Sequence, residues 1–390
     1  MPQHTNLNME AVRSAFPILD TINYLNTGTY GPMPEPALQA LLDATAALER
    51  EGVACGRPFG QDADQVRSIL AEMIGARPED IAFSRNATDG VNLVLAGLTW
   101  NEGDEIITTD QEHEAVLHPL LYLQSRTGIR VRRIACSPDP GEMLRRLDAH
   151  VSERTRLVAF SHVTCETGTR LPAGAICAWA AERGILSLLD SAQSLGAVPV
   201  DVGAIGCDFL AGNGHKWLHG PKGTGLLYAR PGLMERLVPA HVGAGSLERA
   251  DVDTGEARPW ATGARFEFGT RSWALASGWK ESLRWLTNLG LVNVNQHISS
   301  LAGYACESIG SIGCTTVLTP AEAPARAGLV SFTCRGYDAA VVGRRLREEA
   351  SVVSRHVPRQ NAVRVSAAHF TAATDVDRLC ETLARMMRNG

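Results

Sequence analysis

The strongest constraint on this fold is an alternation. Between about residues 80 and 230, short β-rich runs trade places with helical stretches. The strand candidates are "DIAFSRN" from 80, "GDEIITTD" from 103, "RVRRIA" from 130, "TRLVAFSHV" from 155, "GILSLLDSA" from 184, "DFLAGNGHK" from 208 and "GTGLLYAR" from 223. Between them lie "TDGVNLVLAGL", "EHEAVLHPLLYLQSRTG", "GEMLRRLDAH" and "PAGAICAWAAERG". The second and fourth of these have helical spacing and end in glycine, a common stop signal. Strand, helix, strand repeated in this way predicts an α/β unit with a mainly parallel central sheet and helices on both faces. In such sheets ligands sit beyond the carboxyl ends of the strands. The polar tails of the strands are therefore the candidate site: Arg85 to Thr88, Asp110 to His113, Ser161 and His162, Asp190 to Gln193, and Asn213 to Lys216.

After about residue 265 the pattern changes. A helical segment, "SWALASGWKESLRWLTNLG", leads into "RAGLVSFTCRG", "DAAVVGRRLREEA" and "NAVRVSAAHFTAATDVDRLCETLARMM". That order predicts a smaller α+β unit ending in a helix. The expected division is an N-terminal segment (1–20), a large unit (21–265) and a small C-terminal unit (266–390). The stretch 243–264, "GAGSLERADVDTGEARPWATGA", reads as a loop.

Composition narrows the classes. A chain of 390 residues is long enough for a large core. Its net charge is -5 and it has no basic run, so nothing points to nucleic acid or an anionic membrane surface. No apolar run approaches the ~20 residues that cross a bilayer. The N-terminus does not read as a signal peptide. The nine cysteines are scattered, odd in number and without a CxxC pair, which argues against a disulfide framework and a structural zinc site. A reducing cytoplasm is the expected setting.

The chemistry begins at "GNGHKWLHGPKGTG". The chain has only three lysines, Lys216, Lys222 and Lys280, and two of them are here. Arginine stays protonated, whereas lysine can shed its proton and act as a nucleophile. Neither GxxxxGK[ST] nor GxGxxG is present: Lys222 is followed by glycine. "SRNATDGVN" offers either an ordinary helix cap or a helix N-terminus that holds a phosphate. Asp190 in "LLDSAQS" ends a buried strand and needs a cationic or donor partner, from the protein or from a cofactor ring. His113 is either a capping histidine or a flat ring lying on another ring. Taken together, the set suits a phosphate, an aromatic ring, a basic ring nitrogen and an aldehyde that lysine captures, which describes pyridoxal phosphate.

These motifs, with "YLNTGTYGPMP" near the N-terminus and "VRVSAAHFTAATDVDRL" near the C-terminus, resemble the class V aminotransferase group of fold-type-I pyridoxal phosphate enzymes, which includes the cysteine desulfurases. The resemblance implies the following roles. Lys216 captures the cofactor aldehyde. His215, Thr88 and the Ala87 backbone approach the phosphate. His113 stacks on the ring, Asp190 keeps its nitrogen protonated, Gln193 faces its hydroxyl, and His162 belongs to the same shell. Arg364 pairs with the substrate carboxylate, a task suited to a bidentate guanidinium; Tyr30, from its nearby motif, is a second substrate-binding candidate. Thr270 in "RFEFGTRS" reaches the phosphate of a second subunit, which implies a homodimer. No metal is expected.

Desulfurases of this group carry a mobile cysteine on the loop before the substrate arginine, and "REEASVVSRHVPRQNAVRVS" has none. Cys165 reads as a packing residue of the large unit. "SHV…TG…LP", "HKW" and "YLNTGTYGPMP" resemble the cystine and cysteine C–S lyases and the isopenicillin N epimerase-like proteins of the group, some of them enzymes of secondary metabolism. The expectation is therefore a C–S β-lyase acting on an amino acid. Transamination, epimerisation and decarboxylation share its first steps. Tyr30, Arg57, Arg265 and Trp273 are the candidates for the pocket wall.

Overall fold

A computed structural model describes residues 7–56 and 59–388. Its main sheet has seven strands, in the order Ile81–Ser84, Gly225–Ala229, Phe209–Asn213, Leu186–Asp190, Thr155–Ser161, Glu105–Thr109, Arg130–Ile134. Six run the same way, and Gly225–Ala229 alone is antiparallel to its neighbours. The alternation of the sequence dictates this arrangement, because each helical stretch returns the chain to the starting edge of the sheet.

Successive residues of a strand face opposite sides. Ile107, Phe160, Leu189 and Leu210 enter one apolar layer, while Ile106, Leu157, Leu188 and Phe209 enter the other. The strands read as unbroken apolar runs for that reason: both faces are covered. All the polar tails emerge at one edge, where Thr109, Ser161, Asp190 and Asn213 end their strands.

The C-terminal residues build a four-stranded antiparallel sheet in the order Thr315–Val317, Leu329–Cys334, Ala362–Ser366, Arg355–Val357. The helices Leu291–Gly310, Ala339–Ala350 and Ala373–Arg388 contribute Leu301, Val342 and Leu379 to a third core, beside Phe332 and Val363. The N-terminal segment is bound to this unit. Asn23 and Tyr24 pair with Val352 and Val353, and Arg13 donates to Asp375 and to the Phe370 carbonyl. From there the chain enters the site edge of the main sheet at Gly28 to Tyr30.

The expected loop at 243–264 is instead largely a hairpin, with Leu247–Asp251 paired to Glu256–Pro259. Its strands are mostly exposed and have no apolar face to give a period-two signal. The turn is made by Asp251 Oδ1, which accepts from the Asp253 and Thr254 N–H groups, and by Gly255 at φ 71. All nine cysteines are free thiols. Among the described residues, no helix is long and apolar enough to cross a membrane.

Candidate active site

A cavity of about 680 Å³ opens at the carboxyl ends of the parallel strands. Ala87, Thr88, His113, Asp190, Gln193, His215, Lys216, Arg364 and Tyr30 all line it. Residues separated by up to 334 positions thus meet in one place.

Lys216 follows the strand Phe209–Asn213 through a tight turn. A Cβ on Gly31 would lie 2.0 Å from the Lys216 carbonyl, so only glycine lets the N-terminal chain pass against this turn. Burial pushes the Lys216 amine down to about 8, and Arg364 pushes the same way against the attraction of Asp190. A large fraction of the amine is therefore neutral near pH 8, the form that adds to an aldehyde.

Asp190 ends its strand, buried, with Oδ1 accepting from the Ala192 N–H at 2.8 Å. Burial raises its pKa, opposed by that N–H and by the charges of Lys216 and His113. A cation placed against it would return it to the ionised state. His113 caps the helix Glu114–Thr127, its Nδ1 accepting from the Ala115 N–H at 3.0 Å. That bond leaves Nε2 as the protonated nitrogen of the neutral ring. Burial, followed by Lys216, lowers the His113 pKa, which keeps the ring neutral and suited to stacking. Gln193 is held at both ends: its Nε2 donates to the Gly28 carbonyl, and its Oε1 accepts from Trp217 Nε1.

The helix Ala87–Gly97 points its N-terminus into the cavity, capped by Asn86. Asn213 Oδ1 accepts from the Ala87 N–H at 2.9 Å and so anchors the first turn to the sheet. His215 also lines the cavity; burial, followed by the Lys216 charge, lowers its pKa to about 4 against a contact with the Thr224 backbone. Its ring lies 5.8 Å from that of Tyr30. A helix N-terminus at the cavity, with Thr88 and the His215 ring also lining it, fits a phosphate. A buried carboxylate, a flat ring and a half-neutral amine complete a donor set that fits pyridoxal phosphate.

Arg364 is buried, 6% exposed, and among the described residues it has no carboxylate partner. Its Nη1 donates to the Cys165 carbonyl, its Nη2 to Thr29 Oγ1, and its Nε is unpaired. Burial lowers its pKa to about 10. An uncompensated buried cation facing a cavity is costly until an anion arrives.

One residue of the expected shell lies elsewhere. His162 does not line the cavity; its Nε2 accepts from Arg170 Nε at 3.3 Å, and burial lowers its pKa to about 3. Strand geometry explains this, because Ser161 faces the cavity and the next side chain must face away. Thr270, expected to serve the phosphate of a second subunit, is exposed and lies outside the cavity of its own chain. Of the wall candidates, Tyr30 lines the cavity. Arg265 is instead buried, donating to the Met234 carbonyl, and Trp273 lies on the surface. Arg57 lies outside the described residues.

Cys165 lines the cavity as well as packing, with its thiol pushed up to about 11 by burial. Sequence reasoning named Glu112 and Asn213 without assigning them a role, and it did not name Glu166, Arg355, His356 and Arg359. Glu112 and Asn213 stood within the polar strand tails, so the signal was present. The other four depend on how the C-terminal unit folds over the sheet.

The fold and the site together define a fold-type-I pyridoxal phosphate enzyme. The sequence pattern of the family described as Aminotransferase class-V matches residues 32–379, and the chain belongs to that family. Probable cysteine desulfurase 2 of Mycobacterium leprae (strain TN) is 30% identical, over 98% of this chain and 97% of its own. Isopenicillin N epimerase of Streptomyces clavuligerus is 32% identical, over 96% of this chain and 97% of its own. The solved complex of the cystine C–S lyase C-DES with its reaction product cysteine persulfide matches with a TM-score of 0.88 at 30% identity, over 95% of this chain and 99% of that one.

Proposed function

We propose that this protein is a pyridoxal phosphate-dependent C–S β-lyase. It would cleave cystine or a cysteine S-conjugate to a persulfide or thiol, pyruvate and ammonia. The observation that carries this reading is the strand Arg355–Val357. Where a desulfurase of the group carries its mobile thiol, this chain places a second arginine at the cavity, directly across from Arg364.

Each residue then has a task. Arg364, buried in the cavity wall, takes the α-carboxylate of the substrate. Arg355, at the mouth, takes a second carboxylate such as the distal one of cystine. When bound, the cofactor supplies an electron sink that makes the Cα proton acidic. Lys216 is the base that receives this proton, and its lowered pKa matches it to neutral pH. Asp190 holds a proton on the ring nitrogen in front of it. His113 restrains the ring from one face. Sulfur leaves Cβ as a thiolate, a good leaving group that needs no strong acid beside it.

Epimerisation is the second reading, supported by the 32% identical isopenicillin N epimerase. It requires a second base across Cα from Lys216. The reading also includes a homodimer in which Thr270 completes a neighbouring site. Thr270 is on the surface, flanked in sequence by Phe268 and Trp273, which are 40% and 37% exposed.

The test is product analysis with cystine and S-alkylcysteines. The reading expects pyruvate and a thiol or persulfide in equal amounts. Alanine with sulfur transfer would mean desulfuration, and a D-amino acid without pyruvate would mean epimerisation.

A further inference from the structure

Glu112 is 2% exposed, lines the cavity and has no part in the chemistry above. Its carboxylate joins two strand ends. Oε1 accepts from Thr109 Oγ1 at 2.6 Å and from the Ser161 N–H at 3.0 Å, and Oε2 accepts from Ser161 Oγ at 2.5 Å. Thr109 and Ser161 are the last residues of neighbouring parallel strands. The paired register of those strands stops at Thr108 and Ala159. The carboxylate therefore satisfies a backbone donor that lies beyond the end of the ladder.

Its neighbours make this placement significant. Ser161 is in register with Asp190 on the next strand. His113 follows Glu112 directly and caps the helix Glu114–Thr127. One buried side chain thus stands between the residue that carries the ring and the strand end that carries the carboxylate. Burial, with the Asp190 charge behind it, raises the Glu112 pKa to about 7 against its three donors. Glutamine could make the same contacts, accepting from Thr109 and the Ser161 N–H and donating to Ser161 Oγ. Geometry and charge are therefore separable.

We propose that Glu112 is a positioning residue: by tying Thr109 to Ser161 it sets the His113 ring over the group that Asp190 holds. The proposal rests on the reading in which pyridoxal phosphate is bound through Lys216, with His113 on its ring.

The experiment compares wild type, Glu112→Ala, Glu112→Gln and Thr109→Val after loading with pyridoxal phosphate. It reads the visible circular dichroism band of the bound cofactor and the cofactor dissociation constant, with far-UV spectra as the control for folding. Glu112→Ala is expected to lose at least half of the visible band and to bind the cofactor about tenfold more weakly, the scale set by a loosened supporting shell. Glu112→Gln is expected to restore both to within about twofold, since it keeps the contacts. A folded Glu112→Ala protein with the wild-type band and affinity would overturn the proposal. Should Glu112→Ala fail to fold, Thr109→Val decides, since it removes the one bond from Thr109 to the carboxylate and Thr109 does not line the cavity: a reduced band supports the proposal and an unchanged one overturns it. A wild type without any visible band would overturn the cofactor reading and the proposal with it, a result distinct from an unchanged variant.

Discussion

Arg355 and Arg364 occupy directly opposed positions on adjacent antiparallel strands, one exposed at the mouth of the cavity and the other buried in its wall. Like charges placed opposite each other on a sheet repel, and the Arg355 charge acts with burial to lower the Arg364 pKa. An anion between them relieves the strain. A substrate with two carboxylates would use both.

Arg364→Ala is expected to raise KM for every amino-acid substrate by about 30-fold or more, the scale of losing one partner of a buried charge pair. Arg355→Ala is expected to raise KM for cystine by about tenfold, consistent with one partly exposed charge-assisted bond, while S-alkylcysteines change little. Steady-state kinetics on the two substrate types would check the split. Equal effects of Arg355→Ala on both would remove the second subsite.

The Lys216 amine sets a pH dependence. Its pKa is depressed to about 8, so the amine is neutral above that value and protonated below it. Capture of the cofactor by apoprotein should therefore reach its full rate above pH 9 and slow as pH falls. The neutral fraction drops by about 100-fold between pH 9 and pH 6, close to a decade per unit below the midpoint. Stopped-flow absorbance gives this rate. Because Arg364 depresses the same pKa, Arg364→Ala should move the midpoint to higher pH.

Asn213 anchors the N-terminus of the helix Ala87–Gly97 at the cavity. Asn213→Ala leaves the buried Ala87 N–H without its acceptor, at a cost of about 1–3 kcal/mol. Thermal melting of the apoprotein should show the loss, and cofactor affinity should fall with it. An unchanged melting temperature would mean that water replaces the side chain.

His162 provides the opposite case. Its contact is with Arg170, away from the cavity. His162→Gln is expected to lower stability while leaving cofactor affinity within about twofold, because a buried polar contact is lost and no cavity contact is. A large loss of affinity would return His162 to the cofactor shell.

These cases show how far the sequence could be read. The seven strands were legible because runs such as "LVAFS" and "LSLLD" are buried on both faces and bounded by turn residues. Lys216, Asp190 and His113 were legible because parallel topology sends every strand tail to one edge. His162 was misplaced because a polar residue in a strand tail does not announce its side; only the pleat decides. Arg355 and Arg359 were not legible because the chain between Ala350 and Ala362 becomes part of the site only when the second sheet packs over the first. Arg359 then reaches Glu166 and the Asp110 carbonyl. The helices Glu35–Glu51, Phe59–Ile74 and Leu291–Gly310 lie outside the strand–helix alternation that the sequence displays, and the first two pack on Trp273–Asn288. The hairpin at 247–259 lacks an apolar face and so left no periodic signal.

The central claim is that Lys216 is the amine that joins pyridoxal phosphate. Reduction of the loaded protein with borohydride, followed by proteolysis and peptide mass spectrometry, tests it most directly. The account predicts a pyridoxyl mass on the peptide containing Lys216 and loss of the visible absorption. A stable label on Lys222 or Lys280, or no label on any lysine, would contradict it.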